Sequence, residues 1–350
     1  MENTEQLIRI IFLGTASFIV AILCTPILTH FLYKYKLGKQ IRDAKEAPIY
    51  AKMHATKSGT PTMGGILIWG TTLFLILLFA FLGMFSETLA GFDFLSRSET
   101  LLPLGALVAS ALVGLVDDVF NVKKMGSHGG GLRMRHRLFI YTVIAIVGAW
   151  WFYTKLEWDL LHIPFLGNFE IGWLYVPFFI LVIVATSFAV NETDGLDGLA
   201  GGSLLFGFAV YAVIAFTMGR FDLAVFCAVI IGATLAFLWF NVYPARFIMG
   251  DTGAMSLGVT LGIIAMLTNY ALLLPLVGFI FVIETASALI QMTSKRLFNK
   301  KVFISAPLHH HLEAIGWPEP KIVMRFWIIA AIMAGMSLMI FFLDVGMMTS

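Results

Sequence analysis

The chain has 350 residues, 59% of them hydrophobic and only 13% charged, with a net charge of +2. A soluble domain of this length carries roughly twice that charge fraction, so the composition excludes an ordinary soluble enzyme. A balance so close to neutral also excludes a nucleic-acid-binding protein.

The N-terminus, Met1-Glu2-Asn3-Thr4-Glu5, is not basic and precedes no small-residue cleavage site. The first apolar run is therefore expected to be a retained anchor. Ten apolar runs follow one another at about 7–32, 63–83, 101–116, 138–153, 173–190, 201–217, 223–240, 254–270, 271–292 and 324–344. A bilayer span needs about 20 residues to cross about 30 Å of hydrocarbon. Several runs are shorter, which predicts helices that continue into the polar loops. Cys24 and Cys227 lie in apolar runs and read as small buried hydrophobes, without a disulfide or zinc site. Residues 160–173 alternate apolar and polar around Gly167-Asn168, which fits a small hairpin or an irregular loop. Pro275 and Gly278 predict a bend in the ninth run. The expected fold class is an all-α polytopic membrane protein of about ten transmembrane helices, forming one domain over 1–350.

Charge placement orients it. Of the 23 lysines and arginines, all but Arg9, Arg97, Lys155 and Arg220 follow odd-numbered runs. The positive-inside rule makes those loops cytoplasmic and both termini external, with the hairpin also external.

The same five loops hold most of the informative polar residues. The first contains Lys57-Ser58-Gly59-Thr60-Pro61-Thr62-Met63-Gly64-Gly65. It offers a cation, hydroxyls and flexible backbone to phosphate oxygens, but its lysine precedes the glycines, so it is no Walker loop. A basic membrane flank is the plainer reading. Asp117-Asp118 closes the third run. Adjacent carboxylates at a membrane face repel each other; they suit a divalent cation, a base paired with a ligand, or simply a span end in water. The Gly-rich stretch 127–131 predicts a mobile loop. The third loop holds Asn191-Glu192-Thr193-Asp194-Gly195-Leu196-Asp197-Gly198, without the closing Glu of a calcium loop. The fourth holds Asn241 and then Met249-Gly250-Asp251-Thr252-Gly253, a carboxylate at a helix start. The fifth holds His309, His310 and His311 and then Gly316-Trp317-Pro318-Glu319-Pro320-Lys321. Three consecutive histidines cannot all face one metal from regular backbone, and HExxH spacing is absent. Donation to a pyrophosphate or a solvated loop are the readings left. Glu284 lies inside 279–290, where a charge costs several kcal/mol, and must face a polar interior or a neighbouring helix's polar group. Charges gathered at one interface, and not at mid-bilayer, favour chemistry between a soluble phosphorylated donor and a lipid headgroup over a transport pathway.

In this order and wording the motifs resemble the phospho-N-acetylmuramoyl-pentapeptide-transferases, within the polyprenyl-phosphate N-acetylhexosamine-1-phosphate transferases. The stretches are KSGTPTMGG from Lys57, Asp117-Asp118, NETDGLDGLA from Asn191, FNVYPARFIMGDTG from Phe240 and APLHHHLEAIGWPEPK from Ala306. The last separates this family from the sister enzymes acting on UDP-N-acetylglucosamine, which with a secondary transporter are the alternatives. The resemblance implies transfer of phospho-N-acetylmuramoyl-pentapeptide from its UDP form to undecaprenyl phosphate, giving lipid I and UMP in peptidoglycan synthesis. It implies Mg²⁺ as cofactor, a bacterial cytoplasmic membrane, an active site on the cytoplasmic face and a homodimer. By motif, Asp251 holds the metal, Asp117 lies nearest the lipid phosphate and Asp118 supports one or the other. Lys57, Thr62, Asn191, Asp194, Asp197 and Asn241 line the nucleotide site; His309, His310 and His311 face the pyrophosphate or sugar. The chain departs from the family at Asn121 and Arg137, each where lysine is usual. It also departs at Ile248, where phenylalanine is usual and Phe247 lies one place earlier, and at Phe188 and Glu192.

Overall fold

The computed structural model describes residues 2–38, 57, 59–97, 99–125 and 131–349. Ser58 and residues 127–130 of the Gly-rich stretch lie outside the described residues. The helices are α1 (Glu2–Lys34), α2 (Ile66–Gly83), the single turn α3 (Glu87–Ala90), α4 (Leu101–Val122), α5 (Met134–Lys155), α6 (Tyr175–Thr193) and α7 (Leu199–Thr217). They continue with α8 (Phe221–Asn241), α9 (Gly250–Leu267), α10 (Leu274–Val277), α11 (Phe279–Phe298), α12 (Leu308–Ala314) and α13 (Glu319–Thr349). Among the described residues nine helices are long and apolar enough to cross a membrane. The pair Ala271–Val277 and Phe279–Phe298, bent by 80° at Gly278, passes the same test together and makes ten if it counts as one broken span. The helices outrun the apolar runs, as the short runs require. The hairpin forms too: Leu160–Ile163 pairs antiparallel with Gly167–Glu170, His162 opposite Asn168.

Helix α9 is the axis of the bundle, buried almost all round between α4, α6 and α7. A helix apolar on every side can hold that place only if neighbours approach closely. Glycine makes the approach possible: a Cβ on Gly258 would sit 2.8 Å from Ser187 Cα, and one on Gly262 2.6 Å from Thr186 Oγ1. Its hydroxyls are all satisfied, Ser256 donating to Thr252 O at 2.6 Å and Thr260 to Ser256 O at 2.7 Å on the same helix, and Thr252 to Ala111 O of α4 at 2.8 Å, so none is left bare in the apolar core. Helix α1 rides outside on α8, where Ser17 Oγ donates to Val229 O at 2.7 Å. Cys227 is buried as expected, but Cys24 is exposed, on a helix whose outer face is left uncovered by the described residues.

Polar ties define one end of the bundle. Arg9 near the start of α1 donates to Asp222 Oδ1 at 2.8 Å and to the Asp93 carbonyl at 2.5 Å. His162 of the hairpin lies 2.7 Å from Asp344 of α13, which also accepts from Tyr270 Oη at 2.7 Å and the Phe165 N–H at 2.6 Å. Both chain termini therefore share this end. The acidic motifs lie at the other.

Candidate active site

Asp117 and Asp118 are adjacent on a helix, so their side chains must point apart. Asp118 turns to the start of α9. Its Oδ1 accepts from Thr62 Oγ1 at 3.1 Å and the Asp251 N–H at 3.2 Å; its Oδ2 accepts the Thr252 N–H at 3.0 Å. A carboxylate on the otherwise unpaired N–H groups of a helix start is doubly favourable, through the hydrogen bonds and the helix dipole. Two glycines let the parts meet. Gly250 has φ +75°, and a Cβ there would lie 2.6 Å from both Asp118 Oδ2 and Thr62 Oγ1. A Cβ on Gly114, one turn before Asp118, would strike the Asp251 backbone.

Asp117 turns the other way, into a fully buried position. Its Oδ1 accepts the Leu132 N–H at 2.5 Å, and its Oδ2 accepts from Arg137 Nε at 2.7 Å. The same guanidinium donates from Nη1 to Asn191 Oδ1 and from Nη2 to Asp251 Oδ2, both at 2.9 Å. Asn191 Nδ2 closes the ring on Asp251 Oδ1 at 2.6 Å. One planar fork thus ties α4, the end of α6 and the start of α9. Two carboxylates share one guanidinium here, with a third, Asp118, directly behind, so the centre keeps an excess of negative charge.

That excess and the donor chemistry fit a hard divalent cation. Mg²⁺ takes oxygen ligands, one or two carboxylates with water and substrate phosphates completing the shell. Asp117, Asp251 and Asn191 Oδ1 are such donors. Among the described residues no group of three His, Cys, Asp or Glu forms a ready cage.

A second cluster lies beside the first. Lys57 Nζ is 2.8 Å from Asp197 Oδ1 and 2.5 Å from Glu319 Oε1. Burial alone would lower the Lys57 pKa, but Glu319 and Asp197 together raise it. Glu319 Oε1 also accepts the Asp197 N–H at 2.6 Å, and Asp197 Oδ2 accepts the Ala245 N–H at 3.0 Å. Asn241 knits the two loops, accepting the Gly198 N–H and donating to Phe247 O, both at 2.9 Å. Asp194 follows α6 directly and is half-buried. The segment carrying Thr62 pairs with the chain before α9: Ile248 N–H donates to Pro61 O at 2.9 Å and Gly64 N–H to Ile248 O at 2.8 Å.

The three histidines occupy three environments. His309 is fully buried, its Nδ1 2.8 Å from Glu284 Oε2. His310 Nδ1 lies 2.7 Å from Glu313, and His311 Nδ1 accepts the Ile304 N–H at 3.3 Å. Glu284 thus finds its polar partner in His309, across the loop rather than on an adjacent span.

Asp117, Asp118, Asp251, Asn191 and Thr62 therefore form one cluster and Lys57, Asp197 and Asn241 its neighbour, while His309 meets the third loop at Gly195. Three participants were not assigned from sequence. Arg137 stood out only as a departure, yet it is the hub. Glu319 sat unremarked inside a motif, although an acid opening an apolar span is a signal of its own. Glu284 was marked by its cost, but its partner was not foreseeable. Phe247 packs its ring between Phe237 and Phe240, 5.8 Å and 6.0 Å away, and is fully buried. It is committed to the core and is no platform for a nucleobase.

Residues 57–68 match a phospho-N-acetylmuramoyl-pentapeptide-transferase signature, and residues 100–269 match glycosyl transferase family 4. The chain is 38% identical over 353 residues to a phospho-N-acetylmuramoyl-pentapeptide-transferase of Chloroflexus aggregans, covering 97% of this chain and 91% of that protein. Its identity to the protein of that name in Geobacillus thermodenitrificans is 38% over 331 residues, 94% and 96% of the two chains. With that of Shouchella clausii it is 39% over 336 residues, 95% and 97%.

Proposed function

This chain belongs to the phospho-N-acetylmuramoyl-pentapeptide-transferase family, and we propose that it works as follows. It transfers phospho-N-acetylmuramoyl-pentapeptide from its UDP form to undecaprenyl phosphate, giving lipid I and UMP. The observation that carries the site assignment is the Arg137 fork joining Asp117, Asn191 and Asp251 at one end of the bundle.

One phosphoanhydride is broken and another made, so the reaction is near balance and needs no other energy source. The difficulty is that an anionic lipid phosphate must approach an anionic pyrophosphate. Mg²⁺, held by Asp251 with Asp117 and Asn191 Oδ1 as further donors, would neutralise phosphate charge and draw the reacting groups into line. Arg137 supplies a permanent cation that stacks its charge against the same carboxylates and can offer N–H donors to phosphate oxygens. Asp117, aimed by the Leu132 N–H and Arg137, stands nearest the attacking phosphate as its orienter. A prenyl phosphate is already mostly ionised at neutral pH, so a strong base is not required. Asp118 acts one step back, holding Asp251 through the backbone of α9. Lys57, aligned by Asp197 and Glu319, faces the nucleotide with Asp194, and Asn241 fixes the loops that shape that side.

The placement of 19 of the 23 basic residues supports a cytoplasmic active site and external termini. The homodimer is part of the same family reading; light scattering of the detergent-solubilised protein checks it. A transporter reading loses its one mid-span charge, since Glu284 is occupied by His309.

The test is direct. Purified protein, undecaprenyl phosphate, Mg²⁺ and radiolabelled UDP-N-acetylmuramoyl-pentapeptide should yield labelled lipid and UMP. No labelled lipid with Mg²⁺ present overturns the assignment. Product from UDP-N-acetylglucosamine instead would move the chain to the sister enzymes.

A further inference from the structure

His309 is built unlike its two neighbours. Glu284 accepts the His309 backbone N–H at 3.1 Å and lies 2.8 Å from the ring Nδ1. Both side chains are wholly buried. A carboxylate only accepts, so Nδ1 carries a proton. The other ring nitrogen, Nε2, is buried with no hydrogen-bond partner among the described residues. Buried polar atoms are rarely left so, and the exceptions point to a ligand or a function. Nε2 is aimed at Gly195, between Asp194 and Asp197 in the third loop. A Cβ on Gly195 would collide with Nε2 and stand 2.9 Å from Cε1. Glycine there keeps open the place the ring occupies.

We propose that Glu284 is a positioning residue for the transfer reaction: it fixes the His309 ring so that Nε2–H, beside Gly195, is presented to a phosphate-type oxygen of the substrate. The inference rests on the reading that this site takes a phosphorylated substrate. Charge supports the geometry. Burial, the largest single effect, would lower the His309 pKa, but Glu284, with Glu313 on the same helix and Glu192 at the end of α6, together outweigh it. The His310 ring, 4.0 Å away between centroids, is the other titratable group against it. The ring pKa is therefore raised above the ordinary 6.5, and the imidazolium, a donor on both nitrogens, extends to higher pH than for a free histidine.

Two substitutions separate charge from place. Glu284→Gln keeps the shape and removes the charge. Its alkaline limb of activity should move to lower pH, with kcat/KM at pH 8 falling about tenfold to a hundredfold; Glu284→Asp should recover part of the loss. Gly195→Ala displaces the ring and leaves Glu284 in place, so turnover should fall while the limb stays put. A purely structural Glu284 would not move the limb, and an unchanged limb in Glu284→Gln overturns the proposal.

A second readout does not need turnover. In protein carrying ¹⁵N-histidine, the His309 signal is identified by its loss in His309→Asn. Both nitrogens should stay protonated to higher pH than in a free histidine, and the Nε2 resonance should shift when inorganic pyrophosphate is added. An Nε2 that ignores pyrophosphate overturns the proposal even if Glu284→Gln does not fold. An Nε2 that responds in a protein making no lipid I upholds it and defeats the reaction assignment instead.

Discussion

Asp118 caps the helix that presents Asp251: its Oδ2 accepts the Thr252 N–H at 3.0 Å. The two carboxylates of the adjacent pair thereby do different work. Asp117 faces Arg137 and the Leu132 N–H, and Asp118 holds the frame.

Substitution should split them. Asp118→Ala strips two hydrogen bonds from the start of α9 and one from Thr62, and should lower thermal stability along with rate, a lost cap alone costing about 1 kcal/mol. Asp117→Asn should lose rate with a smaller fall in the melting midpoint. Differential scanning fluorimetry beside the radiolabel assay checks this, and equal melting midpoints for wild type and Asp118→Ala would contradict the capping role.

Arg137 competes with a metal for the oxygens of Asp117 and Asp251. Arg137→Ala should therefore reduce turnover while lowering the Mg²⁺ concentration for half-maximal activity. It should also destabilise, because a buried pair broken on one side costs toward the low end of about 3–5 kcal/mol. Arg137→Lys keeps the charge but cannot reach three acceptors from one point, and should recover only part of the rate. A Mg²⁺ titration of all three proteins decides; a raised Mg²⁺ requirement in Arg137→Ala would reject the competition.

Chelation with EDTA should abolish turnover and added Mg²⁺ should restore it. Asp251→Asn should stay below about 1% of the wild-type rate at saturating Mg²⁺, an electrostatic loss of about a hundredfold or more. Near-normal rate in that variant would remove Asp251 from the metal site.

The Lys57 pair carries a pH signature. Its folded-state pKa lies above the ordinary 10.5, so its stabilisation is fully present below that value and lost as pH rises through the folded value. The stability gap between wild type and Lys57→Gln should thus be flat from about pH 7 to 9 and close only in stronger base. Thermal midpoints across that range measure it. A gap that closes near neutrality would mean that the lysine is not held by Asp197 and Glu319.

The spans were legible because a bilayer imposes a length and a composition that no side-chain detail can disguise. Even the bend at Gly278 and the hairpin at Gly167 could be read, since both depend on local backbone chemistry. The site was legible only in part. Asp117, Asn191 and Asp251 stand in recognisable motifs, but nothing local to residue 137 says that its guanidinium reaches 54 positions to Asn191 and 114 to Asp251. Asn241 also stands in a motif, but nothing local to it says that its amide joins Gly198 to Phe247. Nor does anything local to Phe247 say that its ring packs between Phe237 and Phe240.

The sequence by itself determined a membrane enzyme of nine or ten spans with its polar motifs on one side. Hydropathy, charge bias and motif order are properties of contiguous residues, and each acts without reference to distant parts of the chain. Only the tertiary structure decided how those residues pair. Asp117 and Asp118 differ by one position and face opposite ways because a helix turns about 100° per residue. Which neighbour each then meets depends on glycines at 114 and 250 that let α4 and α9 close on each other. Pairing is a matter of where helices cross, and that is settled by packing between segments far apart in the chain.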